Sequence, residues 1–174
     1  MTFTVVTSDV DLIMQGFQEL SRYGVKRAFR RAGRDIKPEL IRLHAVASAT
    51  WDQRVVPRVT IRATGGNLRI TSKVNDELFS LLTIGARPHK IFPVNAPVLV
   101  FPWGGPGSYI PKTSPGKLQS SAGSGRFTGP IVYRMFVNHP GFPGREYHEL
   151  IAKEILPFAR KALVREIRRE VARL

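Results

Sequence analysis

The apolar positions of this 174-residue chain recur first at a helical period, then at a β period, then at a helical period again. After a short β-like run, FTVV, the residues Leu12, Ile13, Gly16, Phe17 and Leu20 fall three and four apart. That spacing predicts a helix through SDVDLIMQGFQEL, capped by Ser8 or Asp9 and ended by Gly24. A second helix is expected from about Val25 to Ala49, kinked or split at Pro38. Arg27, Arg30, Arg31 and Arg34 give it a basic face, read as solvated surface.

The middle of the chain reads as β. RVTIRA and LRITSKV flank TGGN, whose Gly-Gly is a hairpin signal. ELFSLLTIG and APVLVF read as further apolar strands. PIVYRMFVN alternates Val132, Arg134 and Phe136 against Tyr133, Met135 and Val137. These runs predict a central antiparallel sheet of four or five strands. In YHELIAKEILPFARKALVREIRREVARL the period is helical again, with Tyr147, Ile151, Ile155, Phe158, Ala162, Ile167 and Val171 in phase. Pro157 is the expected kink of this long C-terminal helix. Helices first, a sheet in the middle and a long helix last define an α+β class, and the length suits one domain over 1–174.

Residues 104–130, GGPGSYIPKTSPGKLQSSAGSGRFTGP, are too rich in Gly, Ser and Pro for a regular element. They read as a long flexible loop between the last two strands. Loops of this length inside compact domains are usually functional or disordered. Closing one costs about 3 kcal/mol plus a constant. Folded out and back, it would extend roughly 40 Å, enough to touch a neighbouring subunit.

Charge changes the picture more than hydrophobicity does. Lys and Arg number 27 against 13 Asp and Glu, a net charge of +14, which favours polyanions or acidic partners. No acid occurs between Glu77 and Glu146, so the sheet and its loop carry uncompensated cations. Arg87, Lys90, Arg134 and Arg145 are candidate contacts to phosphates or to an acidic partner. Screening within about 8 Å at physiological salt requires that partner to come close. The loop offers Tyr109 and Phe127 alone as aromatics, a poor stacking platform for single strands. No helix-turn-helix, zinc-finger or RNA-recognition signature is present, so contact with DNA would be through phosphates.

The absence of cysteine excludes disulfides and thiolate zinc sites. No apolar run reaches the roughly 20 residues needed to cross a bilayer, and the first residues lack the pattern of a secretory signal. The expectation is a chain made in the cytoplasm with no membrane partner. His44, His89, His139 and His148 include no i,i+4 metal pair, and the phosphate-loop order G-x-x-x-x-G-K-[ST] is absent. Asp76-Glu77 with Glu146 or His139 is the one imaginable catalytic cluster, and KVNDE reads more simply as a surface turn. No enzyme activity, metal or cofactor is expected.

Two segments carry a family resemblance. IGARPHKIFPVNAPVLVFPW, residues 84–103, holds Pro-His-x-Ile-x-Pro and then an apolar strand. VNHPGFPGREY, from residue 137, holds Val-x-His-Pro-Gly before a helix with Tyr147 as its aromatic anchor. This order resembles the minor tail and tail-completion (neck) proteins of long-tailed bacteriophages. The resemblance implies a structural virion subunit, assembled in the host cytoplasm into a homo-oligomeric ring, in this family generally sixfold, at the head–tail junction. Its implied partners are other neck and tail proteins, with non-specific contact to the packaged double-stranded DNA. Within that picture Tyr109, Lys112, Lys117, Arg126 and Phe127 are candidates for the ring interface. His139, Pro140, Gly141, Pro143, Gly144 and Tyr147 form a rigid corner between the last strand and the final helix, since Pro fixes φ and Gly permits positive φ. The alternative is a free basic nucleic-acid-binding protein that contacts phosphates without reading sequence.

Overall fold

In the computed structural model, residues 22–51, 54–64, 67–118, 123 and 125–173 are described. The expected FTVV strand and the helix through SDVDLIMQGFQEL lie outside them. Helix α1 spans Arg22–Ala47 and helix α3 spans Tyr147–Val171; the two pack along each other. Pro38 and Pro157 each lie inside an unbroken helix. Phe29, Ala32 and Ile36 of α1 are buried, as are Ile151, Ile155, Ala159 and Ile167 of α3. Phe158, in phase by spacing, is instead 39% exposed, and Ala159 and Leu163 fill the interface.

Charge closes the same interface. Glu170 is buried and accepts hydrogen bonds from Arg27 at 3.0 Å, from Arg31 and, one turn on, from Arg173 at 3.1 Å. Burial alone would raise the Glu170 carboxyl, but the guanidinium groups of Arg27, Arg31 and Arg173 outweigh it and hold the pKa below the ordinary value. Arg165 pairs with Asp35 of α1 and with the buried Glu166. The Arg27 and Arg31 side of α1, expected to be solvated, is therefore partly a cross-helix contact.

Strands β1 (Arg58–Ala63) and β2 (Leu68–Lys73) form an antiparallel hairpin over α1. Its inner side buries Leu68, Ile70 and Ser72, with Val59, Ile61 and Ala63 packed on the core. The approach is close: a Cβ on Gly33 would stand 2.6 Å from Ile61.

ELFSLLTIG, expected as a strand, is helix α2 over Glu77–Ile84. An unbroken apolar run does not distinguish the two periods. The deciding signals are local: the Asp76 carboxylate caps the Phe79 amide at 2.7 Å, and Gly85 ends the helix at φ 88. Phe79 is fully buried, between the rings of His44 and Tyr147.

The remaining strands are β3 (Gly85–Ala86), β4 (His89–Ile91), β5 (Leu99–Pro102), β6 (Ile131–Arg134), β7 (Val137–His139) and β8 (Phe142–Pro143). Among the described residues all strands pair two by two: β1 with β2, β3 with β8, β4 with β7 and β5 with β6. The expected sheet of four or five strands is replaced by a hairpin and a nested two-stranded ribbon. Ten of the 13 prolines fall between residues 85 and 143; Pro102 and Pro143 lie within strands, where each removes a backbone donor, and the others fall between strands. The architecture is a mixed helix-and-strand body with small antiparallel ladders and a long C-terminal helix.

Candidate interaction surface

The ribbon is one long hairpin with an elbow. Gly85 faces Pro143, His89 faces His139 and Ile91 faces Val137, a single register across two ladders. Seven residues, 92–98, then oppose two, Met135 and Phe136, before Leu99 faces Arg134 and Pro102 faces Ile131. Pairing continues through Tyr109 and Phe127. The far end returns to the body: Arg145 donates from Nε to the Thr113 hydroxyl at 3.2 Å, and Leu118 packs on the core. Arg145 lies two residues from β8, so the ribbon doubles back to its own root and its elbow is the part that leaves the body.

That elbow is apolar and exposed. Val94 is 91% exposed and Met135 74%, beside Phe92 and Phe136, whose rings lie 6.1 Å apart. On β5–β6 the pair Val100 and Tyr133 shares a face with Ile131, and all three are exposed. Leu99, Phe101 and Val132 take the other, half-buried face. Strand alternation thus sets two apolar faces back to back, and on the half-buried one the Phe101 ring packs against Trp103 and Phe127.

The corner of the ribbon's root has a clear construction. The Gly141 amide donates to Nδ1 of His139 at 3.0 Å, and the two histidines of the β4–β7 ladder stack at 5.0 Å. Gly141 has φ 78, and a Cβ there would stand 2.2 Å from the Ala86 carbonyl oxygen. A Cβ on Gly144 would stand 2.4 Å from the Thr83 carbonyl oxygen. The Arg145 and Glu146 amides donate to the Leu82 and Thr83 carbonyls, at 2.8 and 3.2 Å. Glu146 takes φ 53 as the cap of α3, which puts Tyr147 into the core. Burial raises the pKa of the Tyr147 phenol.

The other sequence-selected residues separate. Tyr109 and Phe127 join Phe101 and Trp103 in an aromatic cluster, the first two 4.7 Å apart. Lys112 reaches the Thr50 carbonyl at 3.4 Å, while Lys117 and Arg126 are exposed. Arg87, Lys90 and Arg134 lie exposed along the ribbon, with the Lys90 ammonium 5.1 Å from the Phe136 ring centroid. Arg145 is not available to a phosphate: it is 7% exposed, bonded to Thr113 and Pro143 and set over the Phe142 ring.

Beside the ribbon's root, α2 turns Leu78, Leu81 and Ile84 outward. An open groove of about 570 Å³ runs past it, lined by Val74, Leu81 and Ile84 and by the acids Asp76 and Glu77. Spacing did not single out this stripe because the segment reads as a strand.

Among the described residues no three His, Asp or Glu side chains gather as a metal site, and no helix is long and apolar enough to cross a membrane. Comparisons with family models, with curated proteins and with solved structures return no match.

Proposed function

We propose that this chain is a structural assembly subunit, a ring-forming component of the neck of a tailed phage at the head–tail junction. One observation carries the assembly reading: the bent ribbon holds a row of large apolar side chains in water, from Phe92 and Val94 to Tyr133 and Met135. Contiguous exposed apolar surface on this scale marks an interaction site. Closed rings use heterologous interfaces, in which one surface of a subunit meets a different surface of the next. The ribbon and the α2 groove are such a pair. The ribbon is apolar and free of acids; the groove is apolar and edged by Asp76 and Glu77. The phage assignment rests on the order of the Pro-His-x-Ile-x-Pro and Val-x-His-Pro-Gly segments, which here form the facing strands of the ribbon's root.

The test is the mass of the purified chain in solution, followed by electron microscopy of particles labelled with an antibody to it. A closed oligomer that Val94→Asp or Met135→Asp converts to a folded monomer supports the interface. Label at the head–tail junction supports the neck role. A wild-type monomer at every concentration, with unlabelled particles, overturns both. The second reading, a free nucleic-acid-binding protein, is favoured by the charge excess and predicts that monomer.

A further inference from the structure

We propose that the outer face of the β1–β2 hairpin binds the phosphate backbone of duplex DNA. In this hairpin Arg58 stands directly opposite Lys73, Arg62 opposite Arg69, and Thr60 opposite Thr71 between them. Their inner neighbours are packed on α1 and the core, so these six share the solvent face. Like charges directly opposite each other destabilise a strand pair. Here two such pairs occur in succession, and none of the four cations has a carboxylate within salt-bridge reach among the described residues. The chain places its acids elsewhere: Glu166, Glu170 and Asp35 serve the α1–α3 contact.

The chemistry of the face selects the partner. It presents guanidinium, ammonium and hydroxyl donors and no apolar side chain, whereas a protein interface needs an apolar, desolvated centre. It has no aromatic ring on which an unpaired base could stack, which disfavours single strands. Arg58 and Arg62 are about 14 Å apart along β1, and Lys73 and Arg69 repeat that spacing on the adjacent strand. Two rows of cations therefore run side by side along the solvent face. Because α1 covers the other side, the hairpin cannot enter a groove as a free ribbon. It lies against the backbone, where contacts position the duplex without reading its sequence. The inference does not depend on the ring: a solitary subunit would hold DNA by the same face.

Fluorescence anisotropy with a 30-base-pair DNA duplex of arbitrary sequence, titrated from 0.05 to 0.5 M salt, tests it. The quadruple variant Arg58→Thr, Arg62→Thr, Arg69→Thr, Lys73→Thr keeps strand-forming residues at all four positions. Its log–log salt slope is expected to be shallower than that of the wild type by about 3 to 4, with affinity at 0.1 M salt lower by on the order of 1,000-fold. Its melting temperature is expected to equal or exceed the wild type's, because the opposed cations are gone. A control variant with Arg34, Lys153, Lys161 and Arg168 changed to Thr carries the same net charge and is expected to bind far more nearly like the wild type. Replacing the three hairpin arginines by lysine should preserve the slope. Equal losses in the two quadruple variants would mean that net charge alone acts, and the site would be rejected. An unchanged slope in the hairpin variant, or tighter binding to a single strand or to an RNA duplex of the same length, would likewise overturn the proposal.

Discussion

The helical body and the ribbon solve the same problem in opposite ways. Between α1 and α3, apolar side chains face inward and charges pair across the interface; Glu170 alone gathers three arginines. In the ribbon, apolar side chains face water on one side, and no carboxylate exists to balance its cations. The α1–α3 contact satisfies its own charges. The ribbon has the composition of half an interface, and two-stranded structure alone is marginal in water. What holds it is its docking at both ends, at the Gly141–Gly144 corner and at the Arg145–Thr113 contact.

The sharpest way to break the body is at Phe79, fully buried against His44 and Tyr147. Phe79→Ala is expected to cost about 3–5 kcal/mol in urea unfolding. Breaking the ribbon's root alone calls for Gly141→Ala, which combines a positive φ with a clash against the Ala86 carbonyl. The cost is about 2 kcal/mol or more, and hydrogen exchange should show β4 and β7 losing protection while α1 and α3 keep theirs. If both regions lose protection together, the two are one cooperative unit.

Glu170→Gln keeps the shape but removes the charge that three arginines share, at an expected cost of about 1–2 kcal/mol in thermal unfolding. The cost should vanish at low pH. Because the Glu170 pKa is depressed in the fold, its contribution is full above the ordinary carboxylate range and is lost as pH falls through the folded value.

His44 gives the body a second acid sensitivity. Burial lowers its pKa, and its Nδ1 donates to the Leu40 carbonyl at 2.8 Å. The unfolded chain takes up this proton at about pH 6.5 while the fold resists it. Stability is therefore full above that pH and declines as pH falls below it. His44→Met should flatten that part of the profile in chemical-unfolding measurements, whatever it does to absolute stability. The smallest stability effects belong to the ribbon's elbow. Val94→Ser and Met135→Ser should stay within about 0.5 kcal/mol of the wild type, yet weaken self-association in light scattering. A large stability loss there would mean that the elbow is core.

Local periodicity made several features legible: α1 and α3, the β1–β2 hairpin, the Gly-Pro corner and the acid-free span. The cationic face of the hairpin was legible too, because R-x-T-x-R in 58–62 and R-x-T-x-K in 69–73 place every charge on one side of a period-two strand. It needed only the register to align the two motifs.

Sequence by itself determined the two long helices, the β1–β2 hairpin and which stretches lack acids, because periodicity, alternation and charge count act over a few residues. Tertiary structure decided the rest. It joined residues near 85 to residues near 143, buried Arg145 and gave Glu170 its arginines from 139 and 143 residues away. These outcomes depend on which surfaces meet when the chain closes on itself. No local pattern encodes that, since the closing free energy comes from contacts between segments that do not share a window of sequence.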